Sequence, residues 1–329
     1  MTAPILATPR SGWGGRGYRI PGRPDVYPSV TTILKAISKG DGLLQWVADQ
    51  TAAKAVVSLP YLMTVSDEVA WRSLRFYWSN TPDLVGSDVR RYWEGVRDDS
   101  AELGTNIHEY VEADIDGLMP HPEPSSIEAE EMIDAWAEFF ANHEIVPHRQ
   151  EFTCVNDRTG FAGTADADWT ITCLHEKSWN EGRKRHEFCL DPDSPGPYRT
   201  LVDLKTARHT WDEHGFQLGA LASCNSIMRQ VTADAEGAMK AMKTEKGRKI
   251  VSYWVEDEPP AWERFALLHI RPDDLDSKGN EVARFCELKD RTEDMDLYQS
   301  GFEGGFAVAK SQHLLKARAK ARGIETEEH

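Results

Sequence analysis

The sequence predicts an α/β protein in which a helical N-terminal half precedes a mixed central sheet flanked by helices. Three observations predict it. Apolar residues recur at helical spacing through residues 29 to 144, alternation with β-branched residues takes over from Val146, and a capped helix separates the third strand from the later ones. A chain of 329 residues can bury a substantial core, so disorder is not the starting expectation.

Residues 1 to 28 read as a flexible arm rich in Gly, Arg and Pro, with no apolar stretch of signal-peptide or membrane-spanning character. Residues 29 to 144 read as the helical segment. Ser29 to Ala53 carries Val30, Ile33, Leu34, Ile37, Leu43, Leu44, Trp46 and Val47, interrupted by Gly40 and Gly42, and further helices are expected at Asp67 to Trp78 and Asp88 to Trp93. Asp99 or Ser100 is expected to cap a helix through His108 to Ile115, stopped by Gly117 and Pro120. Ser125 with Glu128 has the spacing of a capping box ahead of Ile127 to Asn142.

Residues 145 to 329 read as a sheet-containing core that forms one compact unit with the helical segment. Val146 to Val155 and Phe161 to Cys173 are expected to pair as a hairpin through the turn Asn156 to Gly160, and Tyr198 to Thr206 reads as a third strand. Thr210 with Glu213 suggests a second capping box, opening a helix to Arg229. Val251 to Glu256 and Phe265 to Ile270 read as further strands, and Gly305 to Arg322 as a closing helix.

Lys and Arg number 38 against 54 Asp and Glu, a formal charge of -16, so the average surface repels a polyanion. Any nucleic-acid role needs local basic patches or bound cations. The basic candidates are Lys240, Lys243, Lys246, Arg248 and Lys249; Lys316, Arg318, Lys320 and Arg322; and Arg90, Arg91 and Arg97 with Tyr92 and Trp93 beside them. Five irregularly spaced cysteines do not suggest a disulfide framework and fit a reducing cytosol. Cys173-x-His175 and His186-x-x-Cys189 are two close pairs of soft ligands that can make a structural zinc site, the alternative being reduced cysteines beside ordinary histidines.

The third strand carries the densest chemistry. In Leu201-Val202-Asp203-Leu204-Lys205 a two-residue period puts Asp203 and Lys205 on one face, a carboxylate beside an amine. Upstream, Gly163 permits close backbone approach and Asp166 can face Asp203 across a ladder. Two carboxylates that close repel unless a cation lies between them, and oxygen ligands suit magnesium or manganese better than zinc. Asp168 shares the expected face of Asp166 and reads as solvated or as an outer acid. Gly104-Thr105-Asn106-Ile107-His108 and Gln217 complete the set.

Taken in order, Gly104 with His108, Gly163 with Asp166, Asp203 with Lys205, and Gln217 resemble the RecB-like exonuclease branch of the PD-(D/E)XK nuclease superfamily, the branch of lambda-type and CRISPR-associated exonucleases. Tyr27-Pro28-Ser29-Val30-Thr31-Thr32 resembles the opening of phage-encoded members. The resemblance covers roughly residues 27 to 230. It implies a restriction-endonuclease-like core and a metal-dependent DNA exonuclease of recombination, repair or phage DNA processing, with DNA ends, and possible recombination proteins, as partners in the cytoplasm of the cell or host. It further implies His108, Asp166, Asp203 and the Leu204 carbonyl as ligands of one or two Mg2+ or Mn2+ ions, Lys205 as catalytic beside Asp203 and Asp166, and Gln217 and Glu151 as DNA-binding or auxiliary groups. Leu221 stands where the family usually has tyrosine, and the closely spaced cysteines of iron-sulfur members are missing. The alternatives are an endonuclease of the same superfamily and a non-catalytic DNA-binding relic of the fold.

Overall fold

The computed structural model describes residues 7–8, 15–37, 84–174, 179–180, 185–186, 196–232, 252–275 and 281–321. The expected helix at 67–78, the basic run at 240–249 and the end of the closing helix lie outside them. The chain divides into two compact units, Lys39–Asn106 and Met1–Ser38 with Ile107–His329. In the smaller, the described residues form the first part of helix α2 (Leu84–Ile115).

A seven-stranded, mostly antiparallel sheet makes this unit a mixed α/β structure. Its strands, in chain order, are β4 (His143–Asn156), β5 (Phe161–Cys173), β8 (Tyr198–Lys205), β9 (Ser226–Thr232), β10 (Ser252–Asp257), β11 (Arg264–Arg271) and β14 (Phe285–Asp290). They lie side by side as β10-β9-β4-β5-β8-β11-β14, with β8 and β11 parallel and every other pair antiparallel. The β4–β5 hairpin turns where the sequence places it. Asn156 Oδ1 accepts from the Thr159 amide at 3.1 Å, and Gly160 takes the left-handed φ of 85° that closes the turn.

Helices cover both faces. On one, α1 (Val30–Ile37), α4 (Asp212–Ala222) and α5 (Met295–Ala321) pack Val30, Ile33, Leu218, Leu221, Phe302 and Phe306 against Phe152, Ala165, Leu201 and Leu267 of the sheet. Gly163 is what lets α1 and α4 come this close: a Cβ there would lie 2.8 Å from Leu221 Cδ2 and 2.9 Å from Val30 Cγ2. On the other face α3 (Ile127–Ala141) lays Trp136 against Trp169 at 6.1 Å between rings, and Trp136 donates its indole N–H to Asp114 of α2 at 2.8 Å. Residues 17 to 28, within the expected arm, form β2 (Gly17–Arg19) and β3 (Val26–Pro28) beside β1 (Ala7–Thr8), and Tyr18 and Ile20 are buried; β6 (Trp179–Asn180), β12 (Asp274–Leu275) and β13 (Glu281–Val282) are short strands outside the large sheet. Serine 29 opens α1, its Oγ accepting from the Thr32 amide at 3.0 Å.

Several local expectations are corrected. Helix α2 runs unbroken through Asp99 and Ser100, because Ser100 turns its hydroxyl back onto the Val96 carbonyl at 2.7 Å instead of capping. Ser126, not Ser125, caps α3, accepting from the Ala129 amide at 3.2 Å. Helix α4 is capped at Trp211, whose amide donates to His214 Nδ1 at 3.2 Å, and it stops at Ala222; Arg229 belongs to the short strand β9. Helix α5 starts ten residues before Gly305, at Met295.

Asp168 is neither solvated nor an outer acid of the site. It is fully buried and clamped: Arg199 donates to it in a fork at 3.0 and 2.8 Å, Arg149 at 2.8 Å and the Trp262 indole at 3.1 Å. Removing the carboxylate would leave two arginines and an indole without their acceptor, a loss of about 3 kcal/mol. Asp168→Ala is therefore expected to lower the melting temperature by several degrees; an unchanged melting curve would contradict the clamp.

Candidate metal centre

The site lies where two strand pairings give way. Antiparallel pairing of β5 with β8 runs from Ile171↔Tyr198 to Ala167↔Val202 and stops one step short of Asp166 and Asp203. The next amide, that of Leu204, donates to Asp166 Oδ2 at 2.6 Å. On the other side β4 pairs with β5 at Gln150↔Ala167 and Phe152↔Ala165, and Glu151 between them has φ of 46°, a left-handed backbone in the middle of a strand. For a residue with a Cβ this costs on the order of 1 kcal/mol, and such strain concentrates at functional positions.

The consequence is a break in alternation. Phe152 and Ala165 sit in the core beneath α1 and α4, yet Gln150 and Ala167, two residues along their strands, line a small cavity with His108, Val111 and Glu112 of α2. Glu151 and Asp166 stand at this switch. His108 Nδ1 is 3.9 Å from Glu151 Oε1 and 3.9 Å from Asp166 Oδ2. One ligand atom from each of His108, Glu151 and Asp166 lies within 4.8 Å of the others, the one such group of three among the described residues. Burial disfavours the His108 imidazolium, but Asp166 and Glu151 outweigh it and raise its pKa above the usual value. A nitrogen and two carboxylates around one point are a donor set that fits a divalent cation.

Asp203 and Lys205 form a second group that meets the first at Leu204. Asp203 is fully buried, its Oδ2 2.6 Å from Lys205 Nζ and its Oδ1 accepting from Gln217 Nε2 at 3.1 Å. Lys205 also donates to the Leu204 carbonyl at 3.2 Å, so that carbonyl is turned to the amine. Burial pushes the Asp203 carboxyl up, with Lys205 opposing; for Lys205 burial is outweighed by Asp203 and Asp166, and its pKa is raised. The structure thus brings His108, Asp166 and Glu151 into one cluster and places Asp203, Lys205 and Gln217 beside it.

Two residues of this region escaped the sequence reading. Glu112 follows His108 by one helical turn and lines the same cavity, its pKa raised by burial and by Glu151; the i, i+4 spacing was the available signal. His214, three residues before Gln217, accepts the Trp211 amide on Nδ1, so Nε2 carries the proton, and burial with the Lys205 charge pushes its pKa down to about 4.

The zinc expectation fails at its first ligand. Cys173 is disulfide-bonded and its sulfur is not free as a thiolate, which also corrects the expectation of reduced cysteines throughout. Cys154, Cys224 and Cys286 are free and buried. His186 lies in the short strand β7 (Arg185–His186), and His175 and Cys189 are outside the described residues. Among the described residues no helix is long and apolar enough to cross a membrane.

No protein-family model and no curated protein matches this chain.

The strained backbone generates a test. Glycine accepts a φ of 46° without penalty, so Glu151→Gly is expected to hold or raise the melting temperature while weakening Mn2+ binding at least about tenfold, as read by calorimetry. If the variant binds Mn2+ as the parent does, Glu151 is no ligand.

Proposed function

We propose that this chain is a metal-dependent deoxyribonuclease of the RecB-like PD-(D/E)XK kind, hydrolysing phosphodiester bonds from DNA ends. One observation carries the proposal: a helical histidine and two strand carboxylates converge on one point, and the adjoining amide leads directly to a buried Asp-x-Lys pair. A solvated strand face with an incidental ion pair would not bury Asp203 completely, nor hold Glu151 in a strained backbone.

In this proposal His108, Glu151 and Asp166 hold Mg2+ or Mn2+, and Asp203 stays with Lys205 and Gln217 beside them. The ion would supply Lewis-acid polarisation of the phosphate and a lowered pKa for water. The rest is done by the chain. Asp203, fixed by Gln217, aims Lys205. The ammonium, ion-paired with Asp203 and donating to the Leu204 carbonyl, has N–H donors to spare for a phosphate oxygen as charge builds there. The Leu204 amide fixes the Asp166 carboxylate, so that a ligand oxygen and the amine keep one spacing. The water adds to phosphorus opposite the departing 3' oxygen.

The cavity beside the cluster is walled by α2 on one side and by β4, β5 and β8 on the other. A site approached from a helix as well as a sheet admits a threaded strand more readily than an uninterrupted duplex, which favours an exonuclease over an endonuclease. With Mg2+ or Mn2+, linear DNA is expected to shorten progressively while relaxed closed circles persist, and EDTA stops the reaction. Asp166→Ala is expected to lose both cleavage and Mn2+ binding. Lys205→Ala is expected to lose about a hundredfold or more in rate with Mn2+ affinity kept, since the amine acts on the phosphate. Circles linearised as fast as linear DNA is shortened would establish the endonuclease; no hydrolysis of either, with Mn2+ bound, would leave the non-catalytic relic.

A further inference from the structure

The segment that follows Lys205 presents an aromatic surface that the site does not use. Trp211 leaves 59% of its surface exposed although it caps a helix packed on the core. The His209 ring meets it edge-on, 5.5 Å between centroids. The exposure is not that of a loose loop. Arg271 donates to the Thr206 carbonyl at 2.8 Å, His269 Nε2 donates to the Ala207 carbonyl at 2.7 Å, Lys289 holds Thr210 Oγ1 at 3.3 Å, and His214 holds the Trp211 amide at 3.2 Å. Four fixed points between residues 206 and 211 hold the backbone that carries the indole, and the ring itself faces solvent.

That place is continuous with the site. Trp211, His214 and Gln217 follow one another at three-residue spacing and so form one stripe along α4. Gln217 touches Asp203 at 3.1 Å, and the stripe leads outward from there to Trp211. The exposed acids Asp212 and Glu213 stand next to the indole and repel phosphate. The part of a nucleotide that fits beside them is the uncharged face of its base. Stacking on an aromatic ring requires that face to be free, which a paired base inside a duplex does not offer.

We propose that Trp211, with His209 against its edge, is the stacking surface for an unpaired base of the DNA strand whose phosphate enters at Lys205. The proposal rests on the nuclease reading and narrows its substrate to a strand with single-stranded character at the site. Trp211 is then a positioning residue for the strand, and it sets a preference for frayed or single-stranded ends over blunt duplex.

The test is binding of a labelled dT strand of about ten nucleotides, followed by anisotropy with Ca2+ to keep the strand intact. Trp211→Ala is expected to weaken binding about tenfold and Trp211→Phe to restore it to within about twofold of the parent, with melting temperatures unchanged for so exposed a residue. Strands with one abasic nucleotide, scanned along the length, supply the second readout. One abasic position should cost the parent the same factor and cost Trp211→Ala nothing further. Undiminished binding by Trp211→Ala overturns the stacking surface even if the chain cleaves DNA. An equal additional loss at every abasic position in the variant also overturns it, because the indole would then not be reading a base. If the strand is never hydrolysed with Mn2+ but the Trp211 variants and abasic strands separate as described, the nuclease reading fails and the stacking surface stands.

Discussion

The hydrogen bond from the Leu204 amide to Asp166 Oδ2 joins everything of chemical interest in the larger unit. Strands β5 and β8 are paired as far as Ala167↔Val202, and at the next step a side-chain carboxylate accepts the amide in place of the ladder. A buried amide left unpaired costs on the order of 1 to 3 kcal/mol, so the carboxylate is held there by the backbone's own need. Asp166 Oδ2 is thereby tied to β8 while lying 3.9 Å from His108 Nδ1, and the two residues flanking Leu204 are Asp203 and Lys205. Bringing these groups together requires no loop: it follows from where one ladder stops.

Gathering Glu112, Glu151, Asp166 and Asp203 in one region sets up repulsion that the protein only partly offsets. Lys205 takes Asp203 at 2.6 Å, and His108 stands 3.9 Å from both Glu151 and Asp166, too far for a hydrogen bond but near enough for the carboxylates to raise its pKa against burial. The raised pKa of Glu112 has the same origin, burial followed by Glu151. A chain of net charge -16 has little long-range positive field to spare for this cluster. The compensation has to be local, which is the electrostatic argument for a cation between Glu151 and Asp166.

How much of this was legible in the sequence depends on how regular each strand is. On β8 the two-residue period holds, and Asp203 and Lys205 fall on one side with Val202 and Leu204 on the other, as the spacing requires. On β5 the same rule puts Asp166 and Asp168 on one face, and there it misleads. The left-handed backbone of Glu151 and the switch of environment between Ala165 and Ala167 send Asp168 into an arginine clamp and Asp166 to the cluster. Nothing in the local residue types marks a positive φ at a glutamate. Helix ends were legible only to within a residue or a turn because neighbouring polar residues compete: Ser125 and Ser126 can each cap, and Ser100 can cap or bond back. The zinc motif offered two close pairs of soft ligands, the first at an uncommon spacing, but spacing cannot tell a thiolate from a disulfide sulfur.

The clamp on Asp168 and the strain at Glu151 are two sides of one arrangement. Glu151 departs from strand geometry, and a strained residue relaxes unless its neighbours are held on both sides. Toward the hairpin, Phe152 and Cys154 are locked in the core beneath α1 and α4. Away from it, Arg149 is tied to Asp168, which Arg199 and Trp262 secure from β8 and the start of β11. The strand is therefore pinned at positions 149 and 152, and Glu151 between them cannot relax to an extended backbone without breaking a buried ion pair or emptying part of the core. Clamp and core each outweigh the cost of one left-handed residue, so Glu151 stays aimed at His108 and Asp166 whether or not a cation is there to reward it. The cluster is built by the fold itself, and the buried acid two residues from Asp166 is part of what builds it.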